Sequence, residues 1–247
     1  MKFVQTALVA AILAGGMIAS AGLVSKFFLK VRHEKVNAIA VKGYAEKDVA
    51  SDIGKFSCRF STEGATQREA YGALLKSQAA VLAHLRAQGF GEKEIQPDSI
   101  NTGRTMKRDE KGNETNEIHH YYASQSVAVA SGDVERIRSA ASGVMDLIKE
   151  GVDISAGEPR FYVSDLKSTK MELLEKATKD GYSRALALAG NSGGKVGALL
   201  SAEQGVIQIT ERHSTDTSGG GVYDTSSIAK TAKVVVTLEY AVDTEKP

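Results

Sequence analysis

The sequence predicts an α+β fold in which helices cover one face of largely antiparallel sheets. Three observations lead there. Apolar and polar residues alternate in short runs, most clearly over 54–60 and 233–240. Longer runs carry apolar residues at helical spacing. The helices are too few and too irregularly placed for a doubly wound parallel sheet. The order read along the chain is ββαββαβαββ.

The first β-rich stretch is Val36 to Val49. From Gly54 to Phe60, Phe56, Cys58 and Phe60 form one alternating set and Lys55, Ser57 and Arg59 the other. A period of two with this split marks a half-buried strand, so Cys58 is expected to be a core thiol behaving as a small hydrophobe. Thr66 and Glu69 fit a capping box. Tyr71, Leu74, Leu75, Gln78, Val81, Leu82 and Leu85 then recur at helix spacing, and Gly89 stops the run.

Ile95 to Thr105 reads as a strand interrupted or edged by Pro97. The charged run Lys107–Glu117, with Gly112 and Asn113, reads as the solvated connection of a hairpin whose return strand is Ile118 to Ala130. Asp133 can cap a second helix with an apolar stripe of Val134, Ile137, Ala141, Val144, Met145 and Ile148, closed by Gly151. A strand over Val152–Val163 is broken near Gly157 and Pro159. Ser164 can cap a third helix running towards Ala189. Gly181 weakens its middle, marking either close packing or a helix in two pieces. Lys195–Arg212 is β-rich, His213–Ser227 is a loop or wide hairpin, and Lys233–Tyr240 is the last strand.

Composition narrows the function classes. Lys plus Arg is 31 and Asp plus Glu is 30 in 247 residues, a formal net charge of +1. That balance supplies no broad field for nucleic acid, and the basic residues of the 107–117 tip are interleaved with acids. Cys58 is the only cysteine, so no internal disulfide or multi-thiolate metal site can form within one chain. Adjacent strand residues point to opposite faces, which argues against His119 and His120 sharing an ion. Gly219–Gly221 and Asn191–Lys195 lack the strand–loop–helix setting of a phosphate loop. No serine elbow is present. No catalytic residue, cofactor or metal is therefore expected. An enzyme would have to assemble dispersed residues such as His119, Tyr121 and Asp98.

Phe3 to Ser25 is 23 residues without a charge, between Lys2 and Lys26. The stretch supports two readings: a membrane anchor, which needs about 20 apolar residues, or a signal cleaved after Ala19-Ser20-Ala21. The anchor is the preferred reading, with residues 1–30 as the membrane segment and 36–241 as the body. The basic flank beyond Lys26 alone would place the body in the cytoplasm; the export-like start argues for the other side.

The body resembles the SIMPL family, also called domain of unknown function 541. The likeness begins at Val41-Lys42-Gly43-Tyr44-Ala45-Glu46 and continues through Leu85 to Gly89-Phe90 and Ile95–Thr102. It then takes in Val127-Ala128-Val129, Phe161–Asp165 and Ala185–Ala189, ending in Lys195-Val196-Gly197. Lys47–Asp52 departs from the family's usual Pro-Asp turn. The resemblance implies an α+β envelope protein with two intimately connected subdomains. It also implies a place on the periplasmic side of the inner membrane (or, after cleavage, in the periplasm or at the outer membrane) and a loose link to envelope integrity and oxidative-stress tolerance. It carries no catalytic constellation. The functional expectation is a non-enzymatic envelope protein acting through self-association or another envelope component, with a small-ligand binding module as the alternative. A homo-oligomer is expected, using β-edge or aromatic contacts at Tyr121, Tyr122, Val127 and Val129. The strand 118–130 is the favoured edge, and Lys233–Tyr240 the second candidate.

Overall fold

Alternation in the first half of the body becomes two long strands, β1 (Ala38–Ala50) and β2 (Ile53–Gly64). The computed structural model describes residues 37–244 together with Gly16, Met17 and Ser20. Apart from those three, the membrane segment expected over 1–30 lies outside the described residues. Among the described residues no helix is long and apolar enough to cross a membrane.

After β2 come α1 (Gln67–Ala87), β3 (Ile95–Pro97), β4 (Asn101–Arg108) and β5 (Glu114–Ser131). The second helix, α2 (Val134–Gly143), tightens into a 3-10 helix over Val144–Glu150 and is followed by β6 (Asp153–Ala156) and β7 (Arg160–Tyr162). Then α3 (Leu166–Asn191), β8 (Gly194–Gln204), β9 (Gln208–Glu211) and β10 (Ala229–Thr244) complete the chain. The fold class is the predicted one. Three expected strands are each split in two: at Pro97, which lacks an amide for the ladder; at Gly157 to Pro159; and between β8 and β9.

Two sheets result. In the six-stranded sheet, β5 lies between β2 on one side and β3 and β4 on the other, while β2 also pairs with β6 and β7. In the four-stranded sheet, β10 lies between β1 and β8, and β9 pairs with the start of β10. Backbone proximity divides the chain into two compact units. Among the described residues, the larger comprises Tyr44–Thr178 and Gln204–Val236; the smaller draws on 37–43, Lys179–Glu203 and 237–244.

The larger unit's core is built on one face of the six-stranded sheet. Phe56, Cys58, Phe60, Val127 and Val129 meet Ala70, Leu74, Val81 and Leu85 of α1 and Ile137 and Ala140 of α2. Thr66 caps α1 by accepting the Glu69 amide at 3.2 Å, and Asp133 caps α2 by accepting the Arg136 amide at 3.0 Å. The buried stripe of α1 is Ala70, Leu74, Ser77, Val81 and Leu85, which leaves Tyr71 and Leu75 exposed. Met145 and Ile148, expected on the buried stripe of the second helix, are also exposed. The cause is the change to 3-10 winding after Gly143: three residues per turn rotate the face, so Val144 stays buried as expected and Leu147 is the next residue to point inward.

The third helix is a single element of 26 residues. Its cap is Asp165, not Ser164: Asp165 Oδ1 accepts the Ser168 amide at 3.1 Å, while the Ser164 amide donates to Asp52 at 2.7 Å. Gly181 marks close packing within the smaller unit. A methyl group there would meet Leu238 Cδ1 at 2.7 Å and Gly43 Cα at 3.3 Å. Leu238 is only 2% exposed and has little room to move aside.

Gly181→Ala is therefore expected to destabilise the protein by about 1–2 kcal/mol in a denaturant melt, because overpacking outweighs the roughly 1 kcal/mol that alanine gains in a helix. Cys58 is 1% exposed, its thiol faces the Val127 carbonyl at 3.9 Å, and burial pushes its pKa up to about 11. It should label slowly in the native state at neutral pH and rapidly after denaturation. Cys58→Ser should cost about 1–3 kcal/mol through an ill-satisfied buried hydroxyl.

Candidate functional site

The strand expected to present an edge is internal. Every residue of β2 from Gly54 to Gly64 pairs with β5, from Ser131 to Tyr121, and β3 and β4 occupy the other side. Val127 and Val129 are 0% and 1% exposed on the core face, so they cannot form an interface. Tyr121 packs against the core. Tyr122 faces the opposite side, where its ring lies over Gly103, its cross-strand partner, and fills the space a side chain would take. No aromatic patch joins the two tyrosines, because neighbours in a strand diverge. The second candidate edge, Lys233–Tyr240, lies within β10, which is also internal.

The histidine pair departs from the simple strand expectation. Thr105 pairs with His120 but Met106 pairs with Ile118, so the register slips at His119. The bulge brings the two rings edge to face with centroids 4.9 Å apart. His120 Nε2 lies 3.2 Å from Glu63 Oε1. Among the described residues, no group of three His, Cys, Asp or Glu side chains is placed to hold a metal ion. Asp98 donates its amide to Ser126, five residues from Tyr121 and so roughly 17 Å away along the strand. His119, Tyr121 and Asp98 are not brought into one site.

Two other surfaces emerge. The first is β8, an outer strand whose only partner strand among the described residues is β10. Its residues are almost all exposed, including Leu199 at 51% and Leu200 at 47%, which fall on opposite faces. A long, exposed edge with apolar side chains is a template for pairing with another chain.

The second surface is the non-core face of the six-stranded sheet. There β2 presents Lys55, Ser57 and Arg59, and β5 presents Ser124, Ser126 and Ala128. At the corner where β7 joins β2, a recess of about 760 Å³ opens, with Lys55, Ser57, Ala128, Glu158, Arg160 and Ser226 among its lining. Its outer wall is the segment 223–227. Thr225 accepts the Phe161 amide at 2.8 Å, and Tyr223 stacks on Tyr162 with ring centroids 6.4 Å apart.

That wall is held by an ion pair between a buried lysine and a half-buried aspartate. Lys230 is fully buried, and its Nζ donates to the Asp224 carbonyl at 2.7 Å and to the Asp224 carboxylate at 3.1 Å. Burial alone would raise the Asp224 pKa. Hydrogen bonds from the hydroxyls of Ser227 and Ser226, the Ser226 amide and the Lys230 ammonium reverse this and hold the carboxyl well below its usual range. The pair escaped the sequence reading, although a signal was present. The alternation through Ala232, Val234, Val236 and Leu238 extends back to Lys230 and puts it on the buried side.

These features define an α+β protein of two units, with an exposed strand edge at β8 and a polar recess beside β2 and β7. Residues 39–240, most of the chain, match the SIMPL family, described as a protein of unknown function (DUF541). The chain belongs to that family. No curated protein matches it.

Lys230→Met should destabilise the fold by about 1–3 kcal/mol, since it leaves the half-buried Asp224 carboxylate without its cation. Adding Asp224→Asn should restore part of that loss by removing the uncompensated charge. Because the folded-state pKa of Asp224 is depressed, its contribution is present in full above about pH 5 and is lost progressively as pH falls below about 4. Asp224→Asn should flatten that limb of the stability–pH curve in acid melts.

Proposed function

We propose that the chain is a non-enzymatic protein of the cell envelope that works by assembling with further copies of itself. The observation that carries this reading is the exposed outer edge of β8. Its sequence is suited to pairing with itself. An antiparallel pair of β8 strands related by a two-fold axis at Leu199 sets Leu199 against its own copy. The same axis sets Lys195 of each copy opposite Glu203 of the other. Such an interface is isologous and closes as a dimer, and opposite-charge cross-strand pairs favour its register over slipped ones.

Envelope placement is supported by the uncharged segment Phe3–Ser25. An anchor there would hold copies in one plane and raise their effective concentration, so a modest strand contact would suffice. Assembly through β8 replaces the contact expected at 118–130, which is internal to its sheet.

The test is light scattering of the full-length chain in mild detergent across a micromolar concentration range. Wild type is expected to assemble. Leu199→Lys should shift the mass to monomer while changing folding stability by no more than about 0.5 kcal/mol, as for most exposed positions. Wild type that stays monomeric at high micromolar concentration would rule the proposal out.

A further inference from the structure

The recess at the β2–β7 corner contains an arrangement that self-assembly leaves unexplained. Lys55 and Arg160 are directly opposite one another in the antiparallel pairing of β2 with β7, so their side chains rise from the same face as neighbours. Like charges in that position repel and weaken a sheet. Neither has an ion-pair partner among the described residues. Lys55 Nζ lies over the Tyr162 ring, 5.7 Å from its centroid, a contact that orients the ammonium without neutralising it. The acid on the adjoining wall, Asp224, is committed to Lys230, Ser226 and Ser227. Among the described residues that line the recess, Glu158 is the one carboxylate.

We infer that this recess is a binding site for a small phosphate monoester, with Lys55 and Arg160 clamping the phosphate between them. Charge selects the group: a phosphate monoester dianion matches two facing cations, whereas one carboxylate neutralises only one. Arg160 offers the planar fork that suits phosphate oxygens, and Lys55 a point charge. Ser57 and Ser226 on the lining provide hydroxyl donors. The small floor at Ser57 and Ala128 lets a ligand lie close to the sheet. At about 760 Å³ the recess is larger than inorganic phosphate requires and falls in the range of small-molecule sites, so an organic substituent has room. Glu158 disfavours a second anionic group and suits a neutral or cationic one.

The same chemistry is offered by a soluble phosphate ester and by a lipid phosphate headgroup, and the experiment separates them. Full-length protein in mild detergent is titrated calorimetrically with glycerol 3-phosphate and with dioctanoyl phosphatidate, against sodium chloride at matched ionic strength. Melting temperatures are recorded on the same samples. Binding of either ester above the chloride control is the expected result, and the tighter of the two identifies the source. Lys55→Gln and Arg160→Gln should each weaken binding at least ten-fold. Without ligand, both should melt at or slightly above the wild-type temperature, because each removes a repulsion. A merely structural pair would melt lower. Lys93→Gln, an exposed lysine away from the recess, should bind as wild type does. No binding beyond chloride, or an equal loss in Lys93→Gln, would overturn the site.

Discussion

The ladder between β2 and β5 is the constraint on which the larger unit depends. Its antiparallel register runs without a break from Gly54 opposite Ser131 to Gly64 opposite Tyr121. Side chains alternate across a strand, so a slip of one residue would exchange the two faces. Phe56, Cys58, Phe60, Val127 and Val129 would turn to the open side, and Lys55 and Arg59 would turn into the core. Burying an unpaired cation costs several kcal/mol, and each large apolar side chain moved out forfeits roughly 1.5–3 kcal/mol. The register is therefore strongly specified, and α1 and α2 pack on the face it defines.

The same ladder decides which surfaces are free to act. By enclosing β5 between β2 and the β3–β4 pair, it removes from the outside the strand whose aromatic residues drew attention. The open edge at β8 belongs to the other sheet, where β10 is its only partner strand among the described residues. The ladder also brings the polar set of β2 onto a face that the core helices do not cover, where β7 sets Arg160 against Lys55. The core and the recess are two sides of one register.

The Lys230–Asp224 pair shows a different kind of economy. A buried ion pair is weak evidence for stability, because desolvation offsets most of the attraction. Here Asp224 also gathers the Ser226 and Ser227 amides and hydroxyls, so one carboxylate organises a turn that would otherwise need several partners. A Ser-, Thr- and Gly-rich segment with no apolar stripe acquires a fixed path along the wall of the recess.

Much of this was legible in the residues alone. Period-two alternation placed Cys58 in the core, capping side chains marked the starts of α1 and α2, and Gly181 announced a close approach or a break. These signals are local: they depend on residues a few positions apart and on backbone geometry common to all chains. What the sequence could not disclose was which strands lie next to one another. Whether 118–130 is an edge depends on where β2, β3 and β4 settle, and whether Lys55 is repelled depends on Arg160, more than a hundred residues away. Even the stripe on the second helix shifted, because the winding changed after Gly143. Alternation told which face of a strand is buried. Only the tertiary pairing decided which strands are exposed and which charges meet, since hydrogen-bonded backbone pairing is blind to side-chain identity and is settled by the packing of the whole sheet.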